Sequence, residues 1–221
     1  YCKETRQGKI RMAESKDTSL LHMLYEYKEL IPRVLKDKEV MKVLSVSVIL
    51  YITNIVSTNF FSLYVTQWLG IESRYLAFFP ILNAAVMLIF MIGIQHKLEL
   101  VKFRIPMWIG LALYAIAVIL LILAPTGSIP FVIVYVFVVA VAGSLVMPRK
   151  DALIQLNINA EERARINALI MSFTIAFSSP FGYFAGWLSS IDRRLPFMFS
   201  FALFLVAIII VGRIRDPEFS K

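Results

Sequence analysis

The sequence predicts an all-α, polytopic membrane protein with six transmembrane helices, and three observations lead to this prediction. Of its 221 residues, 59% are hydrophobic and 17% are charged, whereas a soluble domain has about 45–50% apolar and about 25% charged residues. The charges cluster between uncharged segments, most of which are long enough to cross about 30 Å of hydrocarbon as a helix. These segments are continuously apolar, without the alternation expected of transmembrane barrel strands.

The spans follow from the uncharged segments in chain order. Segment 105–148 is too long for one helix, and the turn-forming cluster around Pro125, Gly127 and Pro130 divides it into two. The predicted spans are 43–69, 76–94, 105–124, 129–147, 168–189 and 195–212. Residues 1–42 are predicted to form a linker with an amphipathic helix at about 20–38, which lies on the membrane surface or covers the helix bundle. Residues 213–221 are predicted to be a tail.

The basic residues are distributed unevenly along the chain. If the N-terminus is cytoplasmic, the inside segments 1–42, 95–104, 148–167 and 213–221 hold 20 of the 23 Lys and Arg residues. The positive-inside rule therefore predicts that both termini are cytoplasmic, and we expect the plasma membrane as the location. The net charge of +8 then reflects topology, and we expect no nucleic-acid partner.

The first span is the most polar, and one of its faces is a candidate substrate surface. Tyr51, Asn54, Thr58 and Phe61 follow the i, i+3, i+7, i+10 spacing of one helical face. An unpaired amide in hydrocarbon is costly, so this face should point into the bundle or towards a watery cavity. The alternative is that these groups only bond to neighbouring helices.

Asn83 in the second span and Tyr135 in the fourth are further cavity candidates. For Asn83 the alternative is helix packing, and for Tyr135 it is the position of an interfacial aromatic residue. The predicted spans have no Asp, Glu, Lys or Arg well inside them, so a proton relay is not expected there. The sequence has two His residues and one Cys, in no catalytic or metal-binding pattern, and we expect neither enzymatic activity nor a cofactor or metal.

The segment from Pro148 to Gly186 has three features in series. Pro148 stands at the end of the fourth span, Glu162-Arg163-Ala164-Arg165-Ile166-Asn167-Ala168-Leu169 follows, and the fifth span contains Ser179-Pro180 and then Gly182 and Gly186. Pro180 should kink the helix, and the G-x-x-x-G pair permits close packing. With the six spans and the polar N-terminal segment, this order resembles the C-terminal half of the major facilitator superfamily, although Gln95-His96-Lys97 replaces the acidic-basic core of that family's loop after Gly93.

The resemblance implies half of a twelve-helix fold with a 3+3 inverted repeat. The first and fourth spans would line the cavity, the second and fifth would contact an N-terminal six-helix half, and the third and sixth would mostly face lipid. Gating or packing roles would fall on a set of glycine, arginine and proline residues: Gly93, Arg149, Arg163, Arg165, Pro180, Gly182 and Gly186. Because the chain begins at Tyr1 without an initiator Met, we expect it to be part of a longer protein.

The function expected from this interpretation is secondary active transport of a small molecule by alternating access. The expected partners are the N-terminal half of the same transporter, the lipid bilayer and the small-molecule substrate. One alternative is a six-helix membrane scaffold or channel that acts as a homo-oligomer. An intramembrane enzyme is a third.

Overall fold

The computed structural model describes residues 32, 36, 38–93, 103–156 and 163–214, and only the backbone of residues 155, 156, 163 and 164. The chain divides into two units, Tyr1–Lys38 and Glu39–Lys221, and the helices described below lie in the second from Glu39 onward. The amphipathic helix predicted at about 20–38 lies almost wholly outside the described residues. Residues 94–102, 157–162 and 215–221 also lie outside them.

The described chain contains six helices that are long and apolar enough to cross a membrane. Their α-helical parts are α1 (Lys38–Leu63), α2 (Phe78–Gly93), α3 (Arg104–Ile122), α4 (Ile129–Leu156), α5 (Arg163–Ile191) and α6 (Leu195–Gly212). A π-helical segment, Tyr64–Trp68, continues α1, and a 3-10 turn, Ser73–Tyr75, precedes α2. No strand occurs in the described ranges. These findings confirm the all-α class and the six spans, and they indicate an integral membrane protein.

Three helices extend beyond the spans predicted from hydropathy. α1 begins at Lys38, α5 begins at Arg163, and α4 continues through Pro148 to Leu156. Hydropathy measures only the apolar stretch, whereas a helix can keep its backbone bonds while its charged residues lie at the membrane surface. Pro148 removes one backbone donor but does not end α4.

α3 packs against both α4 and α6, while α2 packs against α4 and α5 against α6. α3 and α4 approach each other closely at Gly110 on α3. A Cβ atom added there would lie 2.5 Å from Cγ2 of Val146 and 3.1 Å from the carbonyl oxygen of Ala142, both on α4. Gly110 meets Val146, and Tyr114, further along α3, meets Gly143, which comes earlier in α4, so the two helices are antiparallel.

Polar contacts tie the helix ends together at both sides of the bundle. At one side the Lys42 ammonium donates to the Arg213 carbonyl over 2.7 Å, which brings the start of α1 beside the end of α6. At the other side the Gly127 amide donates to the Leu69 carbonyl over 2.6 Å. Gly127 has φ 76°, a left-handed conformation that favours glycine, so the predicted turn between the third and fourth spans has a specific backbone requirement. We call the Lys42–Arg213 side the basic end.

Two helices bury little of their surface within the bundle. In the most apolar stretch of each span, 6% of the residues of Ser73–Gly93 and 22% of those of Arg165–Ile191 are buried, compared with 56% for Lys38–Trp68. Large apolar side chains are correspondingly exposed on these two helices, including Ile92 at 76%, Tyr183 at 86% and Trp187 at 54%. The intermediate value for Arg104–Ile122, 44%, reflects its contacts with α4 and α6 on one side and an exposed opposite side.

Candidate functional site

A cavity of about 540 Å³, the main cavity, lies between α1, α2 and α4, with α3 and α6 closing its back. Pockets for small molecules typically measure about 300–1,000 Å³, so this space can hold such a ligand. It brings together five of the six cavity candidates predicted from the sequence: Asn54, Thr58, Phe61, Asn83 and Tyr135. Their contact with a substrate stays a prediction.

The α1 wall of the main cavity follows from helical periodicity. Asn54 and Thr58 have exposed side chains on the cavity face, whereas Val56 and Ile52, on the other side of the helix, are buried. Thr53 also borders the cavity, but its hydroxyl donates to the carbonyl of Leu50 over 3.0 Å. Asn54 and Thr58 therefore offer more hydrogen-bonding groups to the cavity than Thr53 does, because the Thr53 hydroxyl is used within its own helix.

Asn83 supplies the α2 wall with an unsatisfied polar atom. Its Oδ1 is buried and has no hydrogen-bond partner. Among the described side chains, the same is true of Oγ1 of Thr174 and Oγ of Ser178. Leaving a buried polar atom unpaired costs about 1–3 kcal/mol. Other buried hydroxyls avoid that cost within their own helix, such as Ser144, which donates to the Ala140 carbonyl over 2.9 Å. The Asn83 oxygen is therefore a buried acceptor without a hydrogen-bond partner on a residue that borders the main cavity.

Aromatic rings form a continuous part of the cavity wall. The Phe61 ring stacks on Tyr135 with centroids 5.5 Å apart and meets Phe79 edge-on at 5.8 Å. At the back, Tyr114 and Phe204 stack at 5.0 Å with an interplanar angle of 1°. Offset and edge-on pairs are the favourable arrangements for aromatic side chains, so these rings hold one another in place.

A second cavity of about 450 Å³, the basic-end cavity, lies between α1, α4 and α5. Tyr51 lines this cavity and not the main one, although it lies on the same α1 face as Asn54. Lys150 and Asp151, which pair at 2.9 Å, also border it. Leu50, Asn54 and Met147 border both cavities, so the two spaces meet along α1.

The gating and packing candidates do not form one cluster. Gly182 and Gly186 on α5 face α1, where an added Cβ would lie 3.7 Å from Ile55 and 3.9 Å from Phe60. These are ordinary van der Waals distances, so the G-x-x-x-G pair is not a tight backbone crossing. Pro180 is exposed within α5, which continues through it.

The remaining candidates lie near helix ends. Arg149 is buried near the end of α4 and Arg165 is exposed near the start of α5. The side chain of Arg163 is outside the described residues, although its backbone starts α5. Gly93 ends α2, and no atom of the described residues lies within 4 Å of the position that its Cβ would take.

Sequence reasoning missed several residues that shape the site. Tyr114, Phe204 and Met147 line the main cavity, and Thr174 lines the basic-end cavity. The apolar ones belong to apolar runs in which periodicity gives no reason to choose them. The unpaired hydroxyl of Thr174 is visible only once its surroundings are known.

The described residues that line the main cavity carry no charge. Among the described residues, no Asp, Glu, Lys, Arg or His lines it, and the described residues contain no group of three His, Cys, Asp or Glu side chains that could hold a metal ion. No protein family and no curated protein matches the sequence.

Proposed function

We propose that this chain forms one wall of a secondary transporter that moves a small molecule across the membrane by alternating access. The observation that carries the proposal is the pair of cavities that meet at Leu50, Asn54 and Met147. Asn54 is close to the middle of the 31-residue span Lys38–Trp68, where substrate sites of such transporters lie. From there the basic-end cavity extends to Lys150 and Asp151, near one end of the bundle.

The other wall of the transporter would cover α2 and α5. Only 6% and 22% of the residues in their most apolar stretches are buried, so a large apolar surface is left for lipid or for protein. The resemblance of Pro148–Gly186 to the major facilitator superfamily favours a second six-helix half as the occupant. In this proposal the two sets of three helices form an inverted repeat, and the basic end, with both termini, is cytoplasmic.

The same exposed helices would also suit a homo-oligomeric scaffold or channel, in which a second copy covers α2 and α5. Measurements of flux across the membrane distinguish a transporter from a channel or a scaffold. A transporter shows saturable flux with counterflow, in which unlabelled substrate on one side accelerates the movement of labelled substrate from the other. A channel shows flux that stays linear in concentration, and a scaffold shows none.

The test uses the protein expressed from its complete reading frame and reconstituted in lipid vesicles. A panel of radiolabelled compounds is presented with and without a pH gradient, and uptake and counterflow are measured. We expect saturable uptake and counterflow for at least one compound class. Linear flux, or uptake by no compound while the protein remains folded and correctly inserted, would contradict transport.

Cysteine accessibility tests the location of the path independently of substrate identity. Cys2 is the only cysteine in these 221 residues, so single cysteines can be placed at Thr58 and Asn83 in the main cavity once Cys2 and any cysteine elsewhere in the reading frame have been replaced by Ser. Ile116 and Ile209, which are 50% and 57% exposed on α3 and α6, serve as lipid-facing controls. A membrane-impermeant thiol reagent should label the first pair and leave the controls unlabelled. Equal labelling of both pairs would remove the support for an aqueous path.

A further inference from the structure

We infer that the exposed side of α3 and α6, the α3–α6 surface, binds an acidic phospholipid at the basic end, with its head group beside Arg104 and Arg213. The acyl chains lie along the two helices. This site is separate from both cavities and does not depend on whether the protein transports a molecule. Three features lead to it: the apolar side chains of the α3–α6 surface, the position of the two arginines, and a tryptophan one helical turn from Arg104.

The exposed side chains of α3 and α6 are suited to contact with lipid tails. Apart from Arg104, every exposed side chain of these two helices is apolar: Ile105, Trp108, Ile109, Ile116, Ile119, Met198, Ala202, Leu205, Val206 and Ile209. α1 shows the opposite pattern, because from Glu39 onward its exposed side chains are all polar: Tyr51, Asn54, Thr58, Asn59 and Ser62. Polar groups are costly to place in hydrocarbon without a hydrogen-bond partner, so α3 and α6 are the helices that lipid can cover.

Arg104 and Arg213 lie at the same corner of the bundle. Nη2 of Arg104 is 4.0 Å from the position that a Cβ of Gly212 would take, so the guanidinium reaches from the start of α3 to the end of α6. Arg213 follows directly and has an exposed side chain. The Lys42 ammonium donates to the Arg213 carbonyl over 2.7 Å, which keeps the end of α6 beside α1. The α3–α6 surface therefore ends in two arginines.

The charge around the two arginines is positive. From Glu39 onward, the described ends of α1, α3 and α6 at this corner hold three basic residues, Lys42, Arg104 and Arg213, and one acidic residue, Glu39, which pairs with Lys42 at 2.7 Å. In the sequence, segments 94–104 and 213–221 together hold six Lys or Arg and three Asp or Glu residues. Guanidinium groups form strong hydrogen bonds with phosphate. A head group with net negative charge therefore complements this corner better than a zwitterionic one.

Trp108 indicates that the corner lies at the depth of the lipid head groups. It is 49% exposed and comes four residues after Arg104, on the same face of α3. Tryptophan is enriched where head groups meet hydrocarbon. On α6, Ile209 is 57% exposed and comes four residues before Arg213. Each helix therefore presents an arginine next to an apolar stripe, which matches a phospholipid, whereas a soluble anion would leave both stripes without a partner.

The test measures which lipids contact Trp108. All other tryptophans of the complete reading frame are replaced by Phe, and the protein is reconstituted in phosphatidylcholine vesicles. These contain increasing fractions of phosphatidylglycerol or phosphatidylcholine with brominated acyl chains, which quench tryptophan fluorescence on contact. We expect phosphatidylglycerol to be preferred at least about fivefold at low salt, the effect of one Lys or Arg near a membrane surface. The preference should fall at about 1 M salt, where charges are screened.

Charge substitutions locate the preference. Arg104→Gln and Arg213→Gln should each lower it at least about twofold, and the double variant should reduce it to about one. Lys150→Gln is the matched control, because it removes a positive charge from α4 at the same end, where Lys150 pairs with Asp151 at 2.9 Å. It should leave the preference at Trp108 unchanged.

A second reporter tests the position along the helices. Met198 is 52% exposed near the start of α6, at the opposite end from Arg213. Met198→Trp in a Trp108→Phe background should be quenched equally by both lipids. A preference as large as that at Trp108 would overturn a site at the basic end.

The remaining outcomes also decide the inference. Equal quenching of Trp108 by the two lipids, or an equal loss of preference in Lys150→Gln and the arginine variants, would overturn it, because a diffuse surface charge would then suffice. Quenching of Trp108 by neither lipid would show that a protein, such as a second copy of this chain, covers the α3–α6 surface, and would overturn it as well. If one arginine variant does not fold, as judged by size-exclusion chromatography, an unchanged preference in the other overturns the inference.

Discussion

The α3–α4 crossing at Gly110 allows a quantitative test of how the bundle is held together. Replacing Gly110 with Ala would place a methyl group 2.5 Å from Val146 Cγ2, about 1 Å inside the usual carbon–carbon contact of about 3.5–4.0 Å. Val146 is fully buried, and its β-branched side chain has little rotamer freedom. Retreat is also limited because the same methyl group would lie 3.1 Å from the Ala142 carbonyl oxygen.

The expected size of the effect follows from two opposing terms. Overpacking a core costs about 1–3 kcal/mol, and the depth of this overlap places the cost in the upper half of that range. Ala gains about 1 kcal/mol over Gly in helix propensity. The net loss is then about 1–2 kcal/mol, which corresponds to a fall of about 2–8 °C in the unfolding midpoint for a protein of this size.

The assay is the fraction of protein that remains monodisperse on size-exclusion chromatography after heating in detergent, measured against temperature. Gly182→Ala is the matched control, because its added methyl group would lie 3.7 Å from Ile55, an ordinary contact. Its midpoint should stay unchanged or rise. Val146→Ala should rescue Gly110→Ala, since it removes the clashing atom, and the two changes should be non-additive by about 1 kcal/mol or more. Equal effects of Gly110→Ala and Gly182→Ala, or additivity with Val146→Ala, would refute the reasoning.

Three further predictions concern the ends of the helices. Tyr64→Phe removes the hydroxyl that donates to the Leu121 carbonyl over 3.1 Å, and the same heating assay should show a loss of about 0.5–1.5 kcal/mol; an unchanged midpoint would count against that bond. Lys42→Met removes the donor to the Arg213 carbonyl at the end of α6 and should cost about 0.3–1 kcal/mol, less at high salt. A loss that does not depend on salt would argue against the charge–helix-end interaction. Gly127→Ala forces a side chain into φ 76° and should cost about 1 kcal/mol or more, whereas a neutral result would contradict the turn geometry.

The candidate site was predictable to the extent that it depends on one helix at a time. Helical periodicity placed Asn54, Thr58 and Phe61 on one face, and the three side chains line one cavity. Tyr51 shares that face but lines the basic-end cavity, because which space a side chain meets depends on the neighbouring helices. Periodicity describes a face and carries no information about the surface opposite it.

The glycine positions illustrate the same limit. The G-x-x-x-G pattern drew attention to Gly182, where α1 leaves room for a methyl group, and not to Gly110, where α4 does not. A sequence pattern reports that a close approach is possible. Only the positions of Val146 and Ala142 show that residue 110 has to be a glycine.

The sequence by itself determined the class of the protein, the number of its spans and the turn at Gly127. These properties are local, since the length of each apolar run, its flanking charges and its turn residues decide whether one segment can satisfy its backbone in hydrocarbon. The tertiary structure decided that Asn83 Oδ1 lacks a partner, that the two cavities meet at Asn54, and that α2 and α5 remain largely uncovered. Those properties arise from distances between atoms on different helices, which no single segment of the chain specifies.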